Sequence, residues 1–163
     1  MRAGAACGSP QRQLKRVRLF PGRVFEVFDV KRRVLLVDDD AVVLLTLKAV
    51  LELHRFEVET ATSAAEAREK LIAHEYDVVI TDIRMETEQA GFDVLRLAQA
   101  QSYHPATAVL TAYPPLDDAW REEPVESLLV KPIGTKQLVQ RLETLLERHA
   151  AGTPQPPRGG ATP

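Results

Sequence analysis

Val34-Leu35-Leu36-Val37-Asp38-Asp39-Asp40 sets four apolar residues directly before three acids. A short, wholly apolar run suits a strand buried on both faces, and such strands belong to parallel sheets covered by helices on either side. Val43, Leu44, Leu47, Val50 and Leu51 then recur at helical spacing, so the strand passes into a helix that Asp40 is placed to cap. The same alternation repeats downstream.

Residues 56–60 read as a second strand, and Ser63 with Glu66 forms an S-x-x-E capping box opening a helix to about His74. Val78-Val79-Ile80 is a third strand ending at Thr81-Asp82; residues 92–101 read as a helix, 106–110 as a fourth strand and 128–130 as a fifth. After Gly134, Leu138, Val139, Leu142, Leu145 and Leu146 make one apolar stripe able to cover a sheet face. Pro114, Pro115 and Pro124 leave only a stunted helix between the fourth and fifth strands. Five such units predict an α/β, flavodoxin-like, doubly wound five-stranded parallel sheet of order 2-1-3-4-5.

The flanks read differently. Residues 1–30 mix Gly, Pro, Gln and Arg and show no sustained helical or strand period, so a basic, mostly disordered arm is expected. Residues 31–149 hold the domain, and 150–163, rich in proline and glycine, should form a disordered tail.

Composition narrows the function classes. With 163 residues, 45% apolar and 27% charged, the chain can bury a real core. The most apolar stretch, 41–53, is interrupted by Thr46, Lys48 and Glu52, so no membrane span is expected, and residues 1–10 lack the apolar segment of a secretory signal. Cys7 has no apolar run before it, which argues against lipidation, and a single cysteine forms no internal disulfide. Six basic residues and no acid fall in 1–25, whereas 26–150 carries fourteen basic residues against 23 acids, a formal charge of −9. An acidic body argues against a nucleic-acid surface there.

In open parallel α/β sheets, ligands bind beyond the carboxyl ends of the strands. Those ends hold Asp38, Asp39 and Asp40 after the first strand, Asp82 after the third, Thr111 after the fourth and Lys131-Pro132 after the fifth. Like charges ~4 Å apart repel by about 4 kcal/mol at an effective dielectric near 20, so a cation must sit among these carboxylates. Oxygen-only donors favour a hard ion such as Mg²⁺, and Lys131 adds a second positive charge. A carboxylate nucleophile with a metal, a lysine and a hydroxyl around it suits phosphoryl transfer.

The motifs V-L-L-V-D-D-D, V-V-I-T-D-I-R-M, A-V-L-T-A-Y and L-L-V-K-P-I, in that order, resemble the receiver domains of two-component response regulators over residues 33–149. The resemblance implies that Asp82 is the phosphoacceptor, that Asp39 ligates Mg²⁺ directly and Asp38 mostly through water, and that the main-chain carbonyl of Arg84 is a further ligand. It implies that the Thr111 hydroxyl turns toward the phosphoryl group, that Ala112 leaves it room and that Lys131 pairs with a phosphoryl oxygen. It also implies that Arg84 and Tyr113 border the path of a hydrolytic water. Pro132 stands where the family often has a cis peptide that would aim the lysine. The implied phosphodonor is a sensor histidine kinase or a histidine phosphotransfer protein, the location is cytoplasmic, and slow hydrolysis of its own aspartyl phosphate is the only activity. Fourteen residues after the last helix suggest a stand-alone module that signals through an unidentified protein target.

Four departures from the family pattern stand out. Glu86 replaces the proline common four residues after the acceptor, and the loop to Gly91 is one residue longer than usual. Leu128 replaces the aromatic at the switch position, and prolines shorten the fourth helix. They keep open a pseudo-receiver, an interaction module that does not switch by phosphorylation. A haloacid dehalogenase type of hydrolase is disfavoured, since its second acid would fall on Arg84. His54, His74, His104 and His149 have no metal spacing and read as surface residues, and Trp120, near Asp117 and Asp118, reads as a packing anchor.

Overall fold

The computed structural model describes residues 14–20, 23–28, 31–116 and 119–152, and residues 1–31 and 32–163 form two separate units. In the first, β1 (Leu14–Phe20) and β2 (Arg23–Phe28) pair antiparallel, Leu14 opposite Phe28 and Val17 opposite Phe25, with an irregularity between Arg18 and Phe20. This corrects the expectation of an arm without strands. Val17, Val24, Phe25, Val27 and Phe28 favour extended backbone and Pro21-Gly22 is a turn-forming dipeptide, but the register shift blurs the alternation that would have revealed the strands. The disorder expected of residues 1–13 and of the tail beyond 152 concerns positions outside the described residues.

The second unit carries β3 (Arg33–Val37), α1 (Ala41–Leu53), β4 (Glu57–Ala61), α2 (Ala64–Ala73), β5 (Val78–Thr81), α3 (Ala90–Gln99), β6 (Ala106–Thr111), β7 (Ser127–Val130) and α4 (Thr135–Ala150). A single 3₁₀ turn, Ala119–Glu122, stands where a helix between β6 and β7 was expected to be stunted. The five strands are parallel in the order β4-β3-β5-β6-β7, which is the flavodoxin-like order 2-1-3-4-5.

The alternation of side chains along each strand builds two cores. Val34, Leu36, Val78, Ile80, Ala108, Leu110 and Leu129 face α1 and α4, meeting Leu44, Leu51 and the stripe from Leu138 to Leu146. Leu35, Val37, Val79 and Val109 face α2 and α3, meeting Leu71, Phe92, Leu95 and Ala98, with Trp120 packed against this second core as the sequence suggested.

Helix ends follow local chemistry. Asp40 caps α1 by accepting from Val42 N at 2.8 Å and Val43 N at 3.3 Å. Ser63 accepts from Glu66 N at 3.1 Å, while the Glu66 carboxylate reaches Thr62 N, one residue before the cap. Helix α3 begins at Ala90, two residues earlier than expected, because its first turn lies directly on the end of β5. A Cβ on Gly91 would overlap the carbonyl oxygen of Asp82 and come within 2.7 Å of Ile83 Cα. Gly91→Ala should therefore cost about 2 kcal/mol, read as a lowered urea midpoint, since rigid backbone must move to admit the methyl. An unchanged midpoint would mean that this contact yields freely.

At the opposite end of the strands, His149 in the last turn of α4 places Nδ1 2.9 Å from Glu126 Oε2 and Nε2 2.7 Å from the His104 carbonyl. Glu126 also accepts from Thr107 N at 3.1 Å, so one carboxylate joins β6 to α4. This histidine is half-buried and bonded at both nitrogens, which replaces the plain surface role the sequence suggested. Burial disfavours the imidazolium, but the bonds to Glu126 and the His104 carbonyl outweigh it and hold the pKa above 6.5. A raised pKa stabilises the fold fully below about pH 6.5 and loses that contribution as the pH rises through the folded-state value. The stability advantage of the wild type over His149→Gln should thus shrink in urea titrations as the pH rises above about 6.5. An advantage that grows with pH would contradict the clasp.

Candidate functional site

Short loops bring the strand ends to one mouth. Asp38 N donates to Ala61 O at 3.1 Å and Asp82 N to Val37 O at 2.9 Å, so each acid is fixed by the ladder of the neighbouring strand. Lys131 N donates to Thr111 O at 2.9 Å and ties the β7 end to the β6 end. The Lys131–Pro132 peptide is cis.

At the centre the Lys131 ammonium bridges two carboxylates, 2.5 Å from Asp38 Oδ2 and 3.0 Å from Asp82 Oδ2. Asp38 is only 3% exposed, and its other oxygen accepts from Asp40 N at 2.9 Å. Asp82 Oδ1 accepts a longer bond from Arg84 N at 3.3 Å. Burial works against the Lys131 charge, but its hydrogen bonds to Asp38 and Asp82 and their negative charges prevail and hold its pKa above the ordinary lysine value. The cation demanded by the clustered acids is thus, in part, the chain's own lysine.

The remaining predicted residues surround this triad. Thr111 is buried, and its hydroxyl oxygen accepts from Tyr113 N at 3.2 Å. Asp39, Arg84, Ala112 and Tyr113 are exposed at the rim, with the Arg84 guanidinium 5.7 Å from the centre of the Tyr113 ring. Leu128 is half-buried against the second core, in register with Val109. Beside the rim a cavity of about 190 Å³ is lined by Arg84, Phe92, Tyr113, Trp120 and Glu123. The 3₁₀ turn supplies Trp120 to its lining, and Glu123, also in the lining, is held by the Arg96 guanidinium. No local pattern of residues signals this cavity or that ion pair, since both depend on contacts between distant segments.

Among the described residues no three Asp, Glu, His or Cys side chains gather into a ready-made metal cage. What the mouth offers is oxygen alone: the Asp82 carboxylate, the exposed Asp39 carboxylate and the loop backbone. Such a sparse hard-donor set fits Mg²⁺, which keeps several waters and takes one or two carboxylates. No helix of the described residues is long and apolar enough to cross a membrane.

A doubly wound sheet with two acids and a lysine converging at its carboxyl edge defines the class: a flavodoxin-like fold with an acidic site at its strand ends. The family model of the response regulator receiver domain matches residues 34–143, and the chain belongs to that family, the receiver domains of two-component response regulators. Over 121 residues it is 36% identical to the transcriptional regulatory protein PrrA of Mycobacterium tuberculosis, covering 73% of this chain and 52% of that protein. It is 33% identical over 121 residues to regulatory protein VanRB of Enterococcus faecalis, covering 73% and 54%. The chain spans about half the length of these curated relatives.

Among solved structures, it is similar to a response regulator receiver protein from Sinorhizobium medicae, with a TM-score of 0.65 and 30% identity over 72% of this chain and 95% of that one. It is also similar to the response regulator TrrA of Thermotoga maritima in complex with Mg²⁺-BeF, with a TM-score of 0.60 and 26% identity over 70% and 98%. Receiver domains of this family typically bind Mg²⁺ at the phosphorylation site, and the family is not one of dedicated enzymes.

Proposed function

We propose that this chain accepts a phosphoryl group on Asp82 from a sensor histidine kinase or a histidine phosphotransfer protein in the cytoplasm, and passes the signal on by binding a protein target. The observation that carries this reading is the Lys131 ammonium, held between Asp38 and Asp82 at 2.5 and 3.0 Å. A buried carboxylate with a cation beside it and one face toward solvent is poised as a nucleophile.

In the transfer, an Asp82 oxygen attacks phosphorus in line, a new P–O bond forms as the donor's P–N bond breaks, and the departing imidazole keeps the electron pair and takes a proton. Lys131 is placed to follow the charge onto a phosphoryl oxygen, and the Thr111 hydroxyl to donate to another, with Ala112 too small to obstruct it. Asp39, Asp82 and the Arg84 carbonyl are the proposed Mg²⁺ ligands, with Asp38 acting through water; the ion would supply charge neutralisation at the phosphoryl oxygens. Arg84 and Tyr113 cover the rim where a hydrolytic water must enter, which favours a long-lived acyl phosphate.

A protein donor is supported by α1, which leaves Val42 and Leu45 72% and 71% exposed within two turns of the acidic cluster. The bound Mg²⁺-BeF of the Thermotoga relative supports the same chemistry. The test is mass spectrometry after incubation with acetyl phosphate. One phosphoryl group should be taken up with Mg²⁺ present and essentially none in excess EDTA; labelling that ignores EDTA would sink the metal requirement.

One second reading retains support. Leu128 cannot perform the rotation of an aromatic ring, and the helix between β6 and β7 is reduced to a 3₁₀ turn, which favours a pseudo-receiver acting purely by binding. Complete absence of labelling with Mg²⁺ would select it.

A further inference from the structure

The loop joining β5 to α3 carries the Arg84 carbonyl, yet it has little of its own to hold it. Its internal bonds are long: Met85 N to Thr87 O at 3.3 Å, Ala90 N to Thr87 O at 3.4 Å and Gly91 N to Ile83 O at 3.1 Å. Glu86 stands where the family commonly has a proline, so the backbone constraint a proline brings is missing from a loop that is also one residue longer than usual. One contact runs against this looseness. Glu86 Oε1 accepts from Ala64 N at 2.8 Å, spanning 22 positions of sequence.

Ala64 is the first residue of α2, and its N–H is among those a helix start leaves without an internal partner. The Ser63 hydroxyl is already committed to Glu66 N, and the Glu66 carboxylate to Thr62. The loop therefore supplies what the local cap does not. A bond from an ionised carboxylate to a helix-start amide is charge-assisted and shorter than those within the loop. Met85, next in the chain, is half-buried against the second core, as is Ala64. The two neighbours thus fasten the loop by a polar and an apolar contact to one body.

We propose that Glu86 is a positioning residue: by accepting the first amide of α2 it holds the Arg84 carbonyl beside Asp82, and so sets the affinity of the site for a divalent cation. This rests on the reading of Asp82 and its neighbours as a Mg²⁺-dependent phosphoacceptor site. In this chain a side-chain tether does what backbone rigidity would do with proline.

The test uses the full chain and Mn²⁺ as the probe, with free Mn²⁺ counted by electron paramagnetic resonance. Glu86→Ala removes the acceptor, Glu86→Gln keeps an oxygen acceptor without the charge, and Ala64→Pro removes the donor. Proline is well tolerated at a first helical position, and Ser63, at φ −153° and ψ 162°, has the extended backbone a residue before proline requires. Glu86→Ala and Ala64→Pro should each weaken Mn²⁺ binding about fivefold, and the double variant should be no weaker than either alone. Glu86→Gln should stay within about twofold of the wild type. In metal-free Glu86→Ala, amide exchange over 85–88 should quicken.

Wild-type affinity in Glu86→Ala, or unchanged exchange in its loop, overturns the proposal. So does a loss in Glu86→Gln equal to that in Glu86→Ala, which would mean that charge alone attracts the ion. Losses that multiply in the double variant would show that the two residues act independently. Should Ala64→Pro fail to fold, the Ala and Gln variants at Glu86 still decide. A wild type that binds no Mn²⁺ removes the underlying reading of the site, an outcome separate from variants that match a binding wild type.

Discussion

Asp82→Asn should take up no phosphoryl group from acetyl phosphate and Mg²⁺ under conditions that label the wild type to completion. The amide is a poor nucleophile, and no other acid at this mouth combines a position at a strand end with a cation in contact and an open face. Asp38 touches Lys131 but is almost wholly enclosed and is bonded through its second oxygen to Asp40 N. Asp39 is open but has no cation beside it among the described contacts. The stability of Asp82→Asn should meanwhile change by less than about 1 kcal/mol, because Lys131 keeps Asp38 and one negative charge leaves a crowded site. Intact-mass spectra and a urea titration report the two quantities separately. Labelling of Asp82→Asn to the wild-type level would move the acceptor elsewhere.

Much of this architecture could be read from residue order because the central strands are short, apolar and bounded by polar or turn-forming residues. Val34 to Val37 announces a buried strand without help from its neighbours, and Leu138 to Leu146 announces the face that covers it. Asp40 as a cap was legible for the same reason, since capping is settled within one turn. The hairpin of residues 14–20 and 23–28 was not, because a shift in register breaks the period on which strand reading depends. The start of α3 was misplaced because its cap residue, Gln89, makes no side-chain capping bond, so no polar signal marks it.

The site divides along the same line. Asp38, Asp82, Thr111 and Lys131 could be singled out because strand ends in a parallel sheet share one edge, whatever the connections between them. What each side chain does there depends on partners far along the chain. Lys131 is 93 residues from Asp38 and 49 from Asp82, and nothing local indicates that it bonds both. Glu86 reads locally as a missing proline, and only the fold brings Ala64 N to it. His149 reads locally as a surface residue, and only the fold brings Glu126 and the His104 carbonyl to its two nitrogens.

The residue with the widest consequences is Lys131, and Lys131→Met should separate two properties that ordinarily move together. Its ammonium is about four-fifths buried and neutralises Asp38 and Asp82 at once, so methionine of similar length leaves two enclosed carboxylates facing each other. Removing one partner from such a buried ionic cluster costs about 3 kcal/mol, which a lowered urea midpoint would show. The same change deletes a competing cation from the mouth. Mg²⁺ should then bind more tightly and raise the melting temperature of the variant by more than that of the wild type. Phosphoryl uptake should fall nonetheless by about a hundredfold, because a preorganised positive charge aimed at the developing phosphoryl oxygen is lost from the transition state. Tighter metal with slower labelling is the expected pair, read by calorimetric Mg²⁺ titration and by the initial rate of labelling at saturating Mg²⁺. If Mg²⁺ binding weakened along with labelling, Lys131 would be holding the acids in shape for the ion, and its proposed contact with the phosphoryl group would lose its support.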